Sequence, residues 1–285
     1  MFAKRLFAQS QFALVFLALC LIVGLAPATS ALDLNGFLPA PGEGTVALSY
    51  TTESYDEFWR GETKVSNPNV GEVSTDSFSL WATWGLAENL ALVGTAAYVD
   101  VDSDGLAGFE DNGFQDISAL LEYRFASFSQ GSARHDFLVA GGIRTPLSSY
   151  EGNAPISLGD ASTDVLIRLV YHGEVGGLYF SQQLGYDLRG DDVPDGFPLF
   201  TEVGYSFGRV TVNGFYSRYL SDDGTDIGEA GFTFPSNEEE SERLGAKIYA
   251  RVTPDLGLFV QGFTTLDGRN TGDASGVSVG GAFSF

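Results

Sequence analysis

A single unit recurs along this chain: an alternating strand, a short turn, a second alternating strand, then a long polar loop. Phe78, Leu80, Ala82 and Trp84 lead through Leu86–Asn89 into Leu90–Val101. Ile117, Ala119, Leu121, Tyr123 and Phe125 lead through Ser127–Ala133 into Phe137, Val139 and Ile143. The unit returns from Val165 to Leu188, from Leu199 to Leu220 and from Leu244 to Leu266. A first strand carrying Val46, Leu48 and Tyr50 on one face precedes these pairs, and a closing strand follows them. Successive side chains in a strand point to opposite faces, so each segment presents one apolar face and one polar or small face. The expected total is about twelve strands, each long enough to cross a bilayer when tilted and even in number, as bacterial barrels require.

The connections sort by length. Long ones fall near residues 58–75, 102–113, 147–163, 189–198, 221–240 and 267–274, and each alternates with a short turn. All the long loops therefore lie at one end, which is the extracellular end of an outer-membrane barrel. A β-sandwich has no reason to sort its loops in this way, and closure removes the unpaired edges that lipid cannot tolerate. The predicted fold is all-β, a transmembrane antiparallel up-and-down β-barrel with long extracellular loops and short periplasmic turns. In the closing strand Val277, Val279, Phe283 and the terminal Phe285 share one face. That pattern resembles the closing strand of bacterial outer-membrane barrels, where it is an assembly signal, so outer-membrane lipids and the barrel-assembly machinery are the expected partners.

The amino terminus agrees with export. Lys4 and Arg5 precede an uncharged apolar run from Phe12 to Leu25, and Ala26-Pro-Ala28 and Thr29-Ser-Ala31 offer small-residue cleavage sites. Residues 1–31 read as a signal peptide, 32–44 as a periplasmic leader rich in Gly and Pro, and 45–285 as the barrel. Cleavage removes Cys20, the single cysteine, which leaves no disulfide framework and no thiolate metal site. The formal net charge of −22 becomes more negative once Lys4 and Arg5 depart. Such acidity excludes nucleic acid as a partner, because a phosphate backbone needs a cationic footprint.

Charged residues on the non-apolar faces should point into the barrel, since charge facing lipid at mid-depth is costly. These are Glu122, Arg124, Arg144, Arg168 and Glu202, together with Arg243, Lys247 and Arg251 on one strand. The last three recur every four residues and form a ladder with rungs roughly 13–14 Å apart. One interpretation is a pore lining with a field across it that orients or selects a small-molecule permeant. The other is that inward Arg and Glu pair with each other and fill a narrow interior.

Few motifs carry chemistry. Asp100-Val-Asp102-Ser-Asp104-Gly105, with Asp111 at the twelfth position, has the oxygen spacing of a Ca²⁺ loop. It lacks the bidentate Glu and flanking helices, so a solvated hairpin loop is the expectation and no metal site or cofactor is assigned. Only His135 and His172 could serve as a general base, and both fall near the short-turn rim. Neither a Gly-x-Ser-x-Gly elbow nor a His-Glu-x-x-His site occurs, so no catalytic residues and no enzymatic activity are expected.

The middle of the chain carries a family resemblance. Gly142-Ile-Arg-Thr-Pro146, a loop, and Pro155-Ile-Ser-Leu-Gly-Asp-Ala-Ser-Thr-Asp164 opening a new strand resemble outer-membrane barrels of the "MetA-pathway of phenol degradation" family. Those proteins show a strand ending in a Pro-Thr-Gly turn and then a Leu-Gly-x-Gly-Ser-x-Asp stretch. Here Leu147-Ser148 follow Pro146, and Ala161 stands where the second Gly is usual. The resemblance implies a barrel tied to uptake of small aromatic or hydrophobic compounds, and it carries over no ligand residues. The expected function is a passive channel in the bacterial outer membrane, with a non-conducting structural or adhesive barrel bearing acidic loops as the alternative.

Overall fold

The computed structural model describes residues 33–285 apart from Asn153 and Pro155, so the signal-peptide assignment lies outside the described residues. Fifteen strands follow in chain order: β1 (Gly44–Tyr55), β2 (Glu57–Arg60), β3 (Thr63–Ser66), β4 (Val73–Ala87), β5 (Leu90–Ser103), β6 (Glu110–Phe114), β7 (Asp116–Gln130) and β8 (Ala133–Pro146). The rest are β9 (Asp164–Val175), β10 (Leu178–Leu188), β11 (Leu199–Phe207), β12 (Val210–Leu220), β13 (Glu240–Arg251), β14 (Leu256–Arg269) and β15 (Ser275–Ser284). Twelve of them close into an antiparallel barrel, each paired to its sequence neighbour among the twelve. The seam is made by β1 and β15, paired from Thr45 opposite Ser284 to Ser54 opposite Ser275. Gly44 and Phe285 extend that ladder by exchanging two backbone hydrogen bonds of 3.0 Å. The carboxy-terminal strand thus seals the tube against the first.

Period-two alternation decides what each strand buries. On β7, Ile117, Leu121, Tyr123 and Phe125 are exposed, whereas Ser118, Leu120 and Glu122 are buried. On β9, Val165, Ile167 and Leu169 are exposed while Leu166, Arg168 and Val170 are buried. The outside is a continuous belt of large apolar side chains, far beyond the patches a water-soluble monomer exposes. In lipid that belt is the buried surface. No helix among the described residues is long and apolar enough to cross a membrane.

The long connections hold more order than the sequence predicts. Residues expected as loop near 58–75 include the β2–β3 hairpin, which stands outside the barrel sheet. Half of the segment 102–113 is strand, because β5 runs on to Ser103 and β6 pairs with its outer half. Between Phe114 opposite Tyr98 and Ser118 opposite Thr95 the register slips by one residue. This bulge flips the side-chain parity, so Asp116 joins the inward face of β7 while Phe114 stays outward.

Candidate functional site

The interior divides into an occupied lumen and an open outer vestibule. Residues 33–43, expected as a leader at the periplasmic end, enter the barrel from the short-turn end. There the Gly42 N–H donates to the Gly85 carbonyl at 2.8 Å and the Gly85 N–H to the Glu43 carbonyl at 2.9 Å. Further in, Phe37 packs edge-on against His172 and Tyr179, with ring centroids 4.3 and 5.1 Å away. Ser181 Oγ donates to the Asn35 carbonyl at 2.5 Å, and His172 Nδ1 lies 2.8 Å from the same oxygen. The Leu34 N–H donates to Gln183 Oε1 at 2.8 Å. Leu34 itself sits in an apolar cluster with Val93, Leu120, Leu138, Leu166 and Val170, with Leu38 packed at its edge. Full burial of one such leucine is worth about 1.5–3 kcal/mol.

This packing accounts for a feature that alternation alone leaves odd. Leu90–Val101 is apolar on both faces because its inner face is covered twice. Val93 lies under the leader, and Ala97, Val99 and Val101 lie with Ile156 and Leu158 of the 147–163 loop.

The charged residues named from the sequence fall at three levels. Near the outer end, Arg144 donates through Nε and Nη2 to Asp164 Oδ2 at 2.8 and 2.6 Å. Arg189, which the sequence did not single out, reaches the same carboxylate from 3.2 Å and also binds Asp160. Burial opposes charge on the Arg189 guanidinium, but Asp160, Tyr219 and Asp164 more than offset this and hold its pKa above the usual value. At mid-depth Arg168 pairs with Asp187, both almost wholly buried. Removing one partner of such a pair costs about 3–5 kcal/mol. Glu202 accepts from the Tyr179 hydroxyl at 2.6 Å, and Asn213 donates to that hydroxyl at 3.0 Å. Glu122 and Arg243 are buried, Lys247 is half-buried, and Asp33 of the leader lies within electrostatic reach of Arg168, Glu202, Lys247 and Arg243. At the short-turn rim, Arg124 donates to the Glu88 carbonyl at 2.9 Å, and Arg251 is exposed at the end of β13. The structure therefore brings Arg144, Arg168, Glu202, Arg243 and Lys247 into one interior and sets Arg124 and Arg251 at its lower edge.

Above the lumen lies a cavity of about 620 Å³. It is walled by Tyr55, Phe58, Phe109, Tyr219 and Phe234, with Arg144, Arg189, Asp116 and Asp160 among its polar lining. Burial and the hydrogen bond donated to Asp116 hold the Tyr150 hydroxyl well above the usual phenol range, so it stays a donor. Loops tie together over this mouth at Asn270, which adopts a positive φ of 50°. Its Oδ1 accepts from the Gly61 and Ile227 amides at 2.8 and 3.0 Å, and its Nδ2 donates to Asp226 and to the Glu238 carbonyl at 2.7 Å each. Nothing in the local sequence marks Asn270 as a hub, since its partners come from two other connections, Gly61 between β2 and β3 and Asp226, Ile227 and Glu238 between β12 and β13.

Two other candidates resolve differently. Asp100 and Asp102 point outward on β5, while Asp111, opposite the inward Val101, lies on the other face. The Ca²⁺-like spacing therefore does not converge, and among the described residues no group of three His, Cys, Asp or Glu could hold a metal ion. His172 faces the lumen and holds the leader, whereas His135 stacks on Phe128 and lies 2.8 Å from the Tyr171 hydroxyl.

A family profile described as MetA-pathway of phenol degradation matches residues 60–280. Among solved structures, an outer-membrane channel from Pseudomonas putida F1 is similar with a TM-score of 0.71 at 14% identity, over 89% of this chain and 100% of that one. The translocator domain of the autotransporter NalP from Neisseria meningitidis gives 0.47 at 13% identity over 88% and 90%. Outer membrane phospholipase A from Escherichia coli gives 0.45 at 11% over 87% and 98%. No curated protein sequence matches the chain.

Proposed function

The chain belongs to the MetA-pathway of phenol degradation family of bacterial outer-membrane barrels, and on that footing we propose that it is a passive conduit for small molecules, aromatic or hydrophobic compounds among them. The observation that carries this reading is the vertical order of the interior. A ligand-sized cavity opens between the outer loops, charge pairs ring the lumen beneath it, and a short leader closes the lower half. Ligand pockets of this size are typically apolar with a few convergent polar groups. Rings of charged side chains in a narrow pore select by charge and orient dipoles.

In this reading Arg144, Arg168, Arg243 and Lys247 line the path, with Glu122 and Glu202 as counter-charges, and Arg124 and Arg251 flank the exit. The occupied lumen favours the alternative, a non-conducting barrel with acidic surface loops. Planar-bilayer recording separates the two. Purified protein is expected to give discrete current steps, and Lys247→Glu combined with Arg251→Glu is expected to move ion preference toward cations. A silent bilayer containing correctly folded protein sinks the conduit and leaves the structural role.

A further inference from the structure

We infer that the outer vestibule is a binding site for small aromatic compounds carrying a positive charge, such as arylalkyl ammonium ions. This deepens the conduit reading and rests on it for the route onward, though not for the binding itself.

Size and walls come first. A cavity of about 620 Å³ lies within the roughly 300–1,000 Å³ typical of small-molecule sites. Tyr55, Phe58, Phe109, Tyr219 and Phe234 surround it, and they come from the β1 and β12 strand ends and from three separate connections. Aromatic faces accept a ring by stacking and a cation through the ring quadrupole.

The charge balance then decides which ring-bearing compound fits. Four carboxylates line the cavity, Asp116, Asp160, Asp187 and Glu239, against the two guanidiniums Arg144 and Arg189. Asp164, which holds Arg144 and Arg189, and the buried Arg168 and Arg243, which act on Asp187 and Glu239, bring this to five carboxylates against four guanidiniums, so the excess stays negative. Both lining guanidiniums are already engaged by Asp164, and Arg189 by Asp160 as well. An incoming anion would have to break those pairs. Asp160 by contrast gives one oxygen to Arg189 and keeps 37% of its side chain exposed. An ionised carboxylate offers about four acceptor positions, so the capacity left facing the cavity is for donors. Burial raises the pKa of Glu239 and the nearby Asp160 adds to this, against Arg189, Arg243 and Arg144, which lower it.

The mouth already displays this chemistry once. The Lys64 ammonium sits 4.4 Å from the centre of the Trp59 ring and pairs with Asp273, an ammonium held between an aromatic face and a carboxylate.

The test uses the full mature chain in lipid nanodiscs and two probes matched in ring and chain length, phenethylammonium and phenylacetate, titrated calorimetrically. Phenethylammonium is expected to bind about tenfold tighter than phenylacetate or better. Asp160→Asn with Glu239→Gln is expected to cut phenethylammonium affinity about tenfold, and Phe109→Ala to weaken both probes. If the double variant does not fold, salt decides: phenethylammonium binding to the unmodified chain must weaken as ionic strength rises. Equal or tighter binding of phenylacetate, salt-independent binding, or no binding of either probe to folded protein overturns the inference. Selective ammonium binding with a silent bilayer upholds this site and removes the conduit. Current without selective binding does the reverse.

Discussion

Asp226 shows how one residue holds the outer loops. Arg269 meets it through two near-parallel bonds, Nε to Oδ1 at 2.8 Å and Nη2 to Oδ2 at 2.7 Å. That contact, opposed by partial burial and supported by Asn270, keeps its pKa below the ordinary carboxylate value of 3.8. A carboxyl whose pKa is lower in the fold than in the unfolded chain contributes its full stabilisation above the unfolded value. The contribution is lost as pH falls through the lower, folded value. The Ile227 amide reports on this network, because it donates to Asn270. Its hydrogen-exchange protection, corrected for intrinsic rate, is expected to be flat from neutral pH down to about pH 4 and to drop below that. In Asp226→Asn the protection should be lower throughout and should lose this acid step. A step that persists in the variant would assign it to another carboxyl.

At the scale of elements, the leader is the piece whose position has most consequence. Gly36 lets it turn against β9: its φ is +77°, and a Cβ there would lie 2.7 Å from the His172 Cβ. Only glycine adopts that backbone region freely. Removing residues 33–40, or placing Val at Gly36, is therefore expected to empty the lower lumen and raise single-channel conductance severalfold. The heat-resistant mobility of the barrel on gels should stay as it was. Unchanged conductance in both variants would mean that the leader does not obstruct the path. The bulge between β6 and β7 acts on the same interior by a smaller step. By inserting one residue it turns Asp116 toward Arg144, 3.9 Å away, and toward Tyr150.

For the whole molecule, closure is what matters. A sheet of twelve strands left open would expose two rows of unpaired amides to lipid, each costing several kcal/mol. The β1–β15 seam removes both rows, and Phe285 lies on the lipid side of that seam with more than half its surface exposed. Deleting Phe285, or replacing it with Ala, is expected to lower the yield of folded barrel in the outer membrane severalfold. Protein refolded in detergent should keep its stability. A matching loss in both settings would make Phe285 a packing residue and not an assembly signal.

Strand number, apolar outside and loop asymmetry were legible from residue order, because each depends on period-two alternation and turn chemistry within a few neighbours. Membership in a barrel family could likewise be read from Gly142–Pro146 and the stretch opening β9. The inward charges were legible as inward, since lipid forbids the alternative, but their partners were not. Arg168 meets Asp187, and Arg144 and Arg189 share Asp164, because strand register sets those residues side by side. The role of Asn270 and the seat of the leader inside the lumen carry no local signal, for their contacts come from segments far off in sequence. Alternation, a property of the chain, made the tube. Register and closure, which exist only once the strands have paired, decided what fills it.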